Sequence, residues 1–234
     1  MSAGSKHQQV LILGIGNVLW ADEGFGVRCI EELNRQYVFP DNVVLMDGGT
    51  QGIYLVQHVQ AADILIVFDA IDYGLAGGEM KCIEGDDVPS FMGARKMSLH
   101  QTGFQEVLAT SELLGDYPEK LLLIGVQPEV LEDFGGSLRP VVKARIQPAI
   151  ETAVAYLAGL GVGADKRGNL LPEQESLSPS ELALEQYEAG RPSAEDACRF
   201  GDERVLASGK VLFDPKPSLI DGALRVDVDH RGKY

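Results

Sequence analysis

Along the first two-thirds of the chain, short runs of apolar residues alternate with segments in which apolar residues recur every three or four positions. The runs are typical of strands buried on both faces, and the spaced segments are typical of amphipathic helices. This alternation predicts a mostly parallel sheet with helices on both faces. The predicted strands are Val10–Gly14, Val43–Met46, Asp63–Ala70, Glu79–Ile83 (an edge strand) and Leu121–Val126, and the predicted helices are Asp22–Tyr37, Ile53–Val59, Gln105–Leu114 and Leu138–Leu160.

The character of the sequence changes after the last long helix, and this predicts a boundary near Gly161. Residues 1–161 carry the strand–helix alternation and form the predicted main domain. Residues 162–234 have few long apolar runs and several prolines, and we expect a partly ordered C-terminal extension there. Within it, Ser178–Glu181 has the spacing of a capping box and predicts a short helix that ends at Gly190, and Leu224–Val228 alternates as a strand does.

Charge and cysteine content limit the class of protein. The net charge is -15, so the chain lacks the basic surface that binding to nucleic acid requires. Its apolar runs are far shorter than the roughly 20 residues of a membrane helix, and no secretory signal is recognised at the N-terminus. Three widely spaced cysteines predict neither a disulfide framework nor a metal site, and Cys29 and Cys82 are expected to be buried and inert. We therefore expect a cytoplasmic protein without a membrane partner.

A glycine-rich turn follows the first predicted strand. Gly14 and Gly16 match the first two glycines of a dinucleotide-binding turn, but Leu19 occupies the position of the third. Asp47, near the end of the second strand, partly restores that interpretation. Binding of a nucleotide therefore stays open as an alternative.

Three residues stand out as candidate metal ligands, namely Glu23, Asp69 and His100. Glu23 follows the glycine-rich turn and lies beside Asp22. For Asp22 itself, the sequence favours helix capping and a role in the chemistry equally. Asp69 ends a hydrophobic strand, where a carboxylate must be paired, hydrogen-bonded or bound to a metal. His100 lies in Ser98–Gly103, which we expect to be a loop before a helix. The set suits nickel, zinc or manganese and leaves coordination positions open.

Several segments together resemble the hydrogenase maturation endopeptidases. The segment Leu13–Gly26 (LGIGNVLWADEGFG) resembles the N-terminal signature of that family. The resemblance covers about residues 8–161, and motifs that agree in order are more specific than the glycine-rich turn alone. The further motifs, in the family's order, are Asp47–Thr50, Asp69–Ala70, Ser98–Gly103 and Leu123–Glu129.

The resemblance implies a three-layer αβα sandwich around a twisted, mainly parallel sheet. It also implies an endopeptidase of the aspartic or metal-dependent type, with Glu23, Asp69 and His100 as its catalytic and metal-contacting residues. Such an enzyme removes the C-terminal extension of the nickel-loaded precursor of a nickel-iron hydrogenase large subunit, whose own nickel it recognises. The resemblance further implies a monomer whose partners are this precursor and maturation chaperones. We expect Asp47 to lie near the substrate or to stabilise a turn.

Other classes of protein remain as alternatives at this point. They are a nucleotide-binding α/β module, a conventional metallohydrolase that carries its own zinc, and a scaffold that binds the large subunit without cutting it. The extension over residues 162–234 departs from the usual length of the family, and its role is open.

Overall fold

A five-stranded sheet forms the centre of the computed structural model, which describes residues 8–92, 99–169, 171–172, 175–191, 217–220 and 223–226. One edge strand is antiparallel to its neighbour, and the other pairings in the sheet are parallel. The strands among the described residues are β1 (Val10–Ile15), β2 (Tyr37–Val38), β3 (Val43–Gly49), β4 (Ile64–Ala70), β5 (Met80–Glu84), β6 (Lys120–Val126), β7 (Asp165–Lys166), β8 (Pro217–Ile220) and β9 (Ala223–Val226). The central sheet has the order β3-β1-β4-β6-β5, with β5 as the antiparallel strand.

Helices cover both faces of this sheet, which confirms the three-layer αβα architecture. Successive strand residues point to opposite faces, so that Ile66 packs with one helical layer and Val67 with the other. Both faces of the sheet are buried under helices, which is why the central strands are apolar without interruption. The helices are α1 (Phe25–Gln36), α2 (Val56–Gln60), α3 (Asp87–Met92), α4 (Leu99–Leu114), α5 (Pro140–Lys143), α6 (Ile146–Gly159) and α7 (Leu184–Ala189), with α1 and α6 on one face and α2, α3 and α4 on the other.

The long helix expected over Leu138–Leu160 is in fact two helices, α5 and α6. Pro148 lies in the first turn of α6, has no N–H to donate, and crowds the carbonyl four residues earlier, so one continuous helix is interrupted there. The end of α6 is as expected. Gly161 adopts φ +80°, and its N–H and that of Val162 bond back to the last turn.

The two cysteines that the structure describes differ in exposure. Cys29 is fully buried in α1, as expected, and burial followed by the charge of Glu32 raises the pKa of its thiol. Cys82 is exposed, which contradicts the expectation that it is buried, because it lies on the edge strand β5.

The described residues between α6 and Arg191 contact the helical layer that contains α1 and α6. β2 and β7 pair antiparallel, and a 3-10 turn at Ser180–Leu182 leads into α7, which ends before Gly190 as expected. The expected capping box does not form. Ser178 instead donates its hydroxyl to Glu31 of α1 at 2.5 Å.

The chain divides into two compact units, Met1–Arg191 and Pro192–Tyr234. In the second unit, β8 and β9 pair antiparallel, and β9 overlaps the expected strand Leu224–Val228, whose last two residues lie outside the described part. The predicted domain boundary after residue 161 stays a prediction. No helix in the described part of the chain is long and apolar enough to span a membrane.

Candidate active site at the carboxyl ends of the strands

The carboxyl ends of β1 and β4 flank the point at which the order of strands reverses. From β1 the chain crosses to β3 on one side, and it then returns to β4 on the other side of β1. Ligands of doubly wound proteins collect in the crevice that the diverging loops leave at such a point. Glu23 lies in the 3-10 turn Ala21–Gly24 that follows β1, and Asp69 is the penultimate residue of β4. Both predicted carboxylates are therefore at this crevice.

Glycines allow the turn that carries Glu23 to lie directly on the strand ends. A Cβ atom on Gly26 would lie 2.2 Å from the carbonyl oxygen of Phe68 and 2.3 Å from that of Ile15. A Cβ atom on Gly16 would lie 1.8 Å from the carbonyl oxygen of Glu23. The glycine-rich turn thus packs against the chain's own backbone. The space above Gly16 that a nucleotide phosphate would need is filled by Glu23, which argues against the dinucleotide interpretation.

Asp69 is fully buried, and a tyrosine lies close to it. Asp69 pairs in register with Gly125 of β6, and the phenol of Tyr73 occupies the space where Gly125 lacks a side chain, with Oη 2.0 Å from an ideal Cβ position. Burial, followed by the charge of Asp69, raises the pKa of Tyr73 well above its usual value. Lys81 lies 5.1 Å from the centre of the Tyr73 ring. Tyr73 is a residue of this site that the sequence did not indicate.

Asp22 joins the turn after β1 to a distant loop. Its buried carboxylate accepts hydrogen bonds from three backbone N–H groups, those of Glu129 at 2.9 Å, Val130 at 2.8 Å and Arg139 at 2.6 Å. The sequence left capping and chemistry equally weighted for Asp22. The structure shows a third role, in which Asp22 holds the loop over residues 127–139 beside Glu23.

Asp47 ends the apolar part of β3 at the same edge of the sheet. Its Oδ1 accepts a hydrogen bond from the N–H of Gly49 at 2.9 Å, which is the turn-stabilising contact expected as one of its two roles. Burial is the largest influence on this carboxyl group and raises its pKa, although the Gly49 hydrogen bond acts in the opposite direction. Asp47 therefore holds a proton more readily than an exposed carboxyl group does.

A buried glutamine links the segment after β4 to the loop after β6. The side-chain oxygen of Gln127 accepts hydrogen bonds from the N–H groups of Tyr73 at 2.7 Å and Leu75 at 3.1 Å, and its amide donates to Asp72 at 3.0 Å. Asp72 also accepts from the N–H of Gly74 at 2.9 Å, so it stabilises this loop. The sequence placed Gln127 only within a family motif, because a single glutamine has no periodic signature.

His100 lies in the first turn of α4, not in a loop as expected, since α4 begins at Leu99. Gly103 lies inside the helix, where a Cβ atom would be 3.4 Å from the Cα of Gly52, so α4 packs on the 3-10 turn Gly52–Leu55 at ordinary van der Waals distance. By strand alternation Asp69 faces the same helical layer as α4. The imidazole of His100 and residue Ser98 lie outside the described part of the structure.

The donor groups at this crevice fit a metal ion in part. Glu23 is half-buried and Asp69 is fully buried, and carboxylate oxygens are suitable ligands for borderline-hard divalent ions. Among the residues whose side chains are described, no three His, Cys, Asp or Glu residues form a cluster that could hold an ion. A complete site therefore needs further donors, from His100 or from a bound substrate.

A cavity of about 820 Å³ lies at the other end of the sheet. Its lining includes Gln9, just before β1, and Asn42, just before β3, so it opens at the amino ends of the strands. It contains none of the candidate site residues. The candidate site therefore lies at the switch point and not in this cavity.

The fold and the site together define a class: a doubly wound αβα protein with an acidic site where the order of its parallel strands reverses. Comparison with known proteins makes the assignment more specific. The sequence profile of the hydrogenase maturation protease family matches residues 27–156. The chain belongs to the hydrogenase maturation protease family, and it is therefore a hydrolase.

Individual relatives agree with this assignment. The hydrogenase expression/formation protein HupD of Thiocapsa roseopersicina is 62% identical over 200 residues, which cover 86% of this chain and 90% of HupD. HoxM of Azotobacter vinelandii is 64% identical over 197 residues, or 84% of this chain and 94% of HoxM. Among solved structures, the hydrogenase maturating endopeptidase HybD from E. coli has a TM-score of 0.65 and 41% identity, and the match covers 68% of this chain and 98% of HybD.

These coverages also bear on the C-terminal extension. The expected main domain ends at residue 161, so at least 39 of the 200 residues aligned with HupD lie beyond it (200 − 161 = 39). Nearly all of HybD is matched by 68% of this chain, a share short enough to fit within the main domain. Part of the extension is thus shared with the HupD relative, and it has no counterpart of similar length in HybD.

Proposed function

We propose that this chain is the endopeptidase that removes the C-terminal extension from the nickel-loaded precursor of a nickel-iron hydrogenase large subunit. Family membership supports this function, as does the likeness to HybD, a hydrogenase maturating endopeptidase. The single observation that carries the proposal is the placement of Glu23 and Asp69 on either side of the switch point, at the two strands where the sheet's order reverses.

In this proposal the nickel belongs to the substrate, and Glu23, Asp69 and His100 contact it. Two carboxylates and an imidazole can complete the coordination of an ion that the precursor already holds. This contact would fix the scissile peptide in position, and the ion would assist attack on its carbonyl as a Lewis acid or by polarising water. The enzyme would thus depend on the metal of its substrate and would use Asp69 to contact that metal. A precursor without nickel would not be cut.

The surface beside Glu23 supports contact with a protein substrate. Leu19, Trp20 and Phe134 are exposed there, and the rings of Trp20 and Phe134 pack edge to face with centroids 5.4 Å apart. Exposed apolar groups next to a site favour binding of a partner's apolar segment. We expect a cytoplasmic monomer that meets the precursor transiently, with maturation chaperones as possible further partners.

The test is incubation of the protein with a matched large-subunit precursor, with and without loaded nickel, followed by intact-mass analysis. Loss of one defined C-terminal peptide only from the nickel-loaded sample is the expected result. Cleavage of both samples would retain the peptidase and reject recognition of nickel. Cleavage of neither sample, with a precursor shown to be competent in its own maturation system, would refute the proposed function.

Variants then test the three residues. Glu23→Gln, Asp69→Asn and His100→Ala should each lower the rate of processing by about 100-fold or more, since each removes a contact to the reacting centre. Glu119→Gln is the matched control, because Glu119 is exposed just before β6, at the opposite end of the sheet. Processing at the wild-type rate by Glu23→Gln or His100→Ala would exclude that residue from the site.

A further inference from the structure

The C-terminal extension contacts the main domain along one face of α1. The side chain of Asn34 donates to the backbone oxygen of Glu175 at 2.8 Å, and Ser178 donates to Glu31 at 2.5 Å. The guanidinium of Arg28, which is 3% exposed, donates to Glu31 at 2.9 Å and to the backbone oxygen of Leu182 at 2.5 Å. A buried arginine satisfied in this way requires its partners to stay in place. Residues 175–191 are therefore seated on α1.

The same segment reaches the loop that borders the candidate site. The hydroxyl of Tyr187 donates to the backbone oxygen of Gly136 at 3.3 Å, and the Tyr187 ring lies 5.5 Å from the guanidinium of Arg28. Glu188 accepts hydrogen bonds from Ser137 at 2.8 Å and from Lys143 at 2.7 Å. These contacts tie α7 to the loop from one side.

The turn that carries Glu23 holds the loop from the other side. Asp22 binds the N–H groups of Glu129, Val130 and Arg139, and the backbone oxygen of Leu19 accepts from the N–H of Gly135 at 2.7 Å. The loop over residues 127–139 thus lies between α7 and the turn Ala21–Gly24. Loss of the α7 contacts would therefore loosen the loop, and the loop is bonded to Asp22, the residue before Glu23.

We propose that residues 175–191 act as a brace that positions the loop over residues 127–139 for substrate binding, with Tyr187 and Glu188 as positioning residues. This inference rests on the proposed function and gives the extension a role in it. Loops are the least stable parts of a fold unless tertiary contacts hold them. The brace supplies such contacts, so a protein without them should bind its precursor less tightly while the chemistry of the bound complex is preserved.

The test uses the full chain with the double substitution Tyr187→Phe and Glu188→Ala, which removes three of the hydrogen bonds to the loop and to α5. Backbone hydrogen exchange at Val130, Gly135 and Arg139 should become faster by about tenfold or more, because these N–H groups bond to the turn that the loop contacts. The KM for nickel-loaded precursor should rise at least about threefold while kcat stays within about twofold. With glutamine in place of alanine at position 188, both effects should be smaller, because the amide oxygen of Glu188→Gln can still accept a hydrogen bond from Ser137.

The control is Glu185→Gln, at an exposed position of the same helix, which should change neither readout. Unchanged hydrogen exchange in the double variant would refute the proposal that α7 holds the loop. Faster exchange with an unchanged KM would refute its role in substrate binding, because the contact would then be purely structural. A wild-type protein that fails to cut a competent precursor would refute the proposed function instead. The exchange measurement would then still decide whether the brace holds the loop.

Discussion

Replacing Asp22 by asparagine should destabilise the fold strongly. The carboxylate is fully buried and accepts three backbone hydrogen bonds, two through Oδ2 and one through Oδ1. Asparagine has one accepting oxygen, so in its better orientation it keeps the bonds from Glu129 and Val130 and turns its NH₂ group towards the N–H of Arg139. That N–H, which is partly buried, then loses its partner.

The size of the effect follows from these three contacts. One unsatisfied buried donor costs about 1–3 kcal/mol, and loss of charge assistance in the two remaining bonds costs roughly 1 kcal/mol or less each. We expect Asp22→Asn to lower the free energy of unfolding by roughly 2–4 kcal/mol. This is a large share of the 5–15 kcal/mol, approximately, that stabilises an ordinary domain. Asp22→Ala leaves all three donors without an acceptor and should cost more.

Urea unfolding can measure this change with a built-in local probe. Trp20 is the single tryptophan of the chain and contacts Phe134 in the loop that Asp22 holds, so its fluorescence reports on that contact. Circular dichroism reports on the whole fold, and agreement of the two midpoints tests two-state behaviour. Asp41→Asn, at an exposed position before β3, makes the same chemical change as a control. A loss within about 0.5 kcal/mol of that control would refute the reasoning, since surface substitutions fall in that range.

Three further predictions concern packing and titration. Gly125→Ala should lower stability by about 1–3 kcal/mol and lower activity, because its methyl group would lie 2.0 Å from the Tyr73 hydroxyl, and adding Tyr73→Phe should recover part of the stability. Asp47→Asn should stabilise the protein at neutral pH, and the gain should vanish below the ordinary pKa of 3.8, because burial raises the pKa of Asp47 and makes its charged form unfavourable in the fold. Glu188→Gln should instead destabilise the protein at neutral pH, and this loss should vanish at low pH. Burial opposes ionisation of Glu188, but the hydrogen bonds from Lys143 and Ser137 outweigh it and lower the pKa, so its contribution is present above its ordinary value of 4.5 and is lost as the pH falls through the lower folded value.

Each of these predictions has an outcome that contradicts it. Strictly additive losses for Gly125→Ala and Tyr73→Phe would mean that the two side chains do not compete for one space. Thermal unfolding across pH 3–7, roughly the range in which carboxyl groups titrate, tests the other two. An Asp47→Asn variant less stable than wild type at neutral pH would mean that its charge is needed. A Glu188→Gln difference that grows as the pH falls would show that the sign of its pKa shift is wrong.

The fold was largely predictable because its signals are local. Uninterrupted apolar runs such as Ile64–Phe68 can be buried only between two layers. The errors also have local causes. Pro148 divides a helix whose apolar spacing is continuous, and α4 begins at Leu99, inside a segment that was expected to be a loop.

The site was predictable only in part, because its remaining residues depend on contacts between distant segments. Glu23 and Asp69 could be proposed as site residues because strand ends at a switch point are a general location for ligands. Tyr73 was not, since its place depends on the missing side chain of Gly125, some fifty residues later and on another strand. Gln127 and the brace residue Glu188 were missed for the same reason: each acts through partners that no local window of sequence contains.

The adjacent carboxylates Asp22 and Glu23 show how one turn serves both structure and chemistry. Asp22 is buried and spends its oxygens on three backbone N–H groups of the loop, whereas Glu23 is half-buried at the crevice. A carboxylate that already accepts three hydrogen bonds has little capacity left for a metal or a substrate, so Asp22 suits the structural role and Glu23 the chemical one. Because the two residues are neighbours in one short turn, the loop that Asp22 holds and that α7 braces is fixed relative to Glu23. The position of the loop and the position of the candidate catalytic carboxylate are therefore coupled. The extension contributes to both, because its helix α7 packs against the same loop.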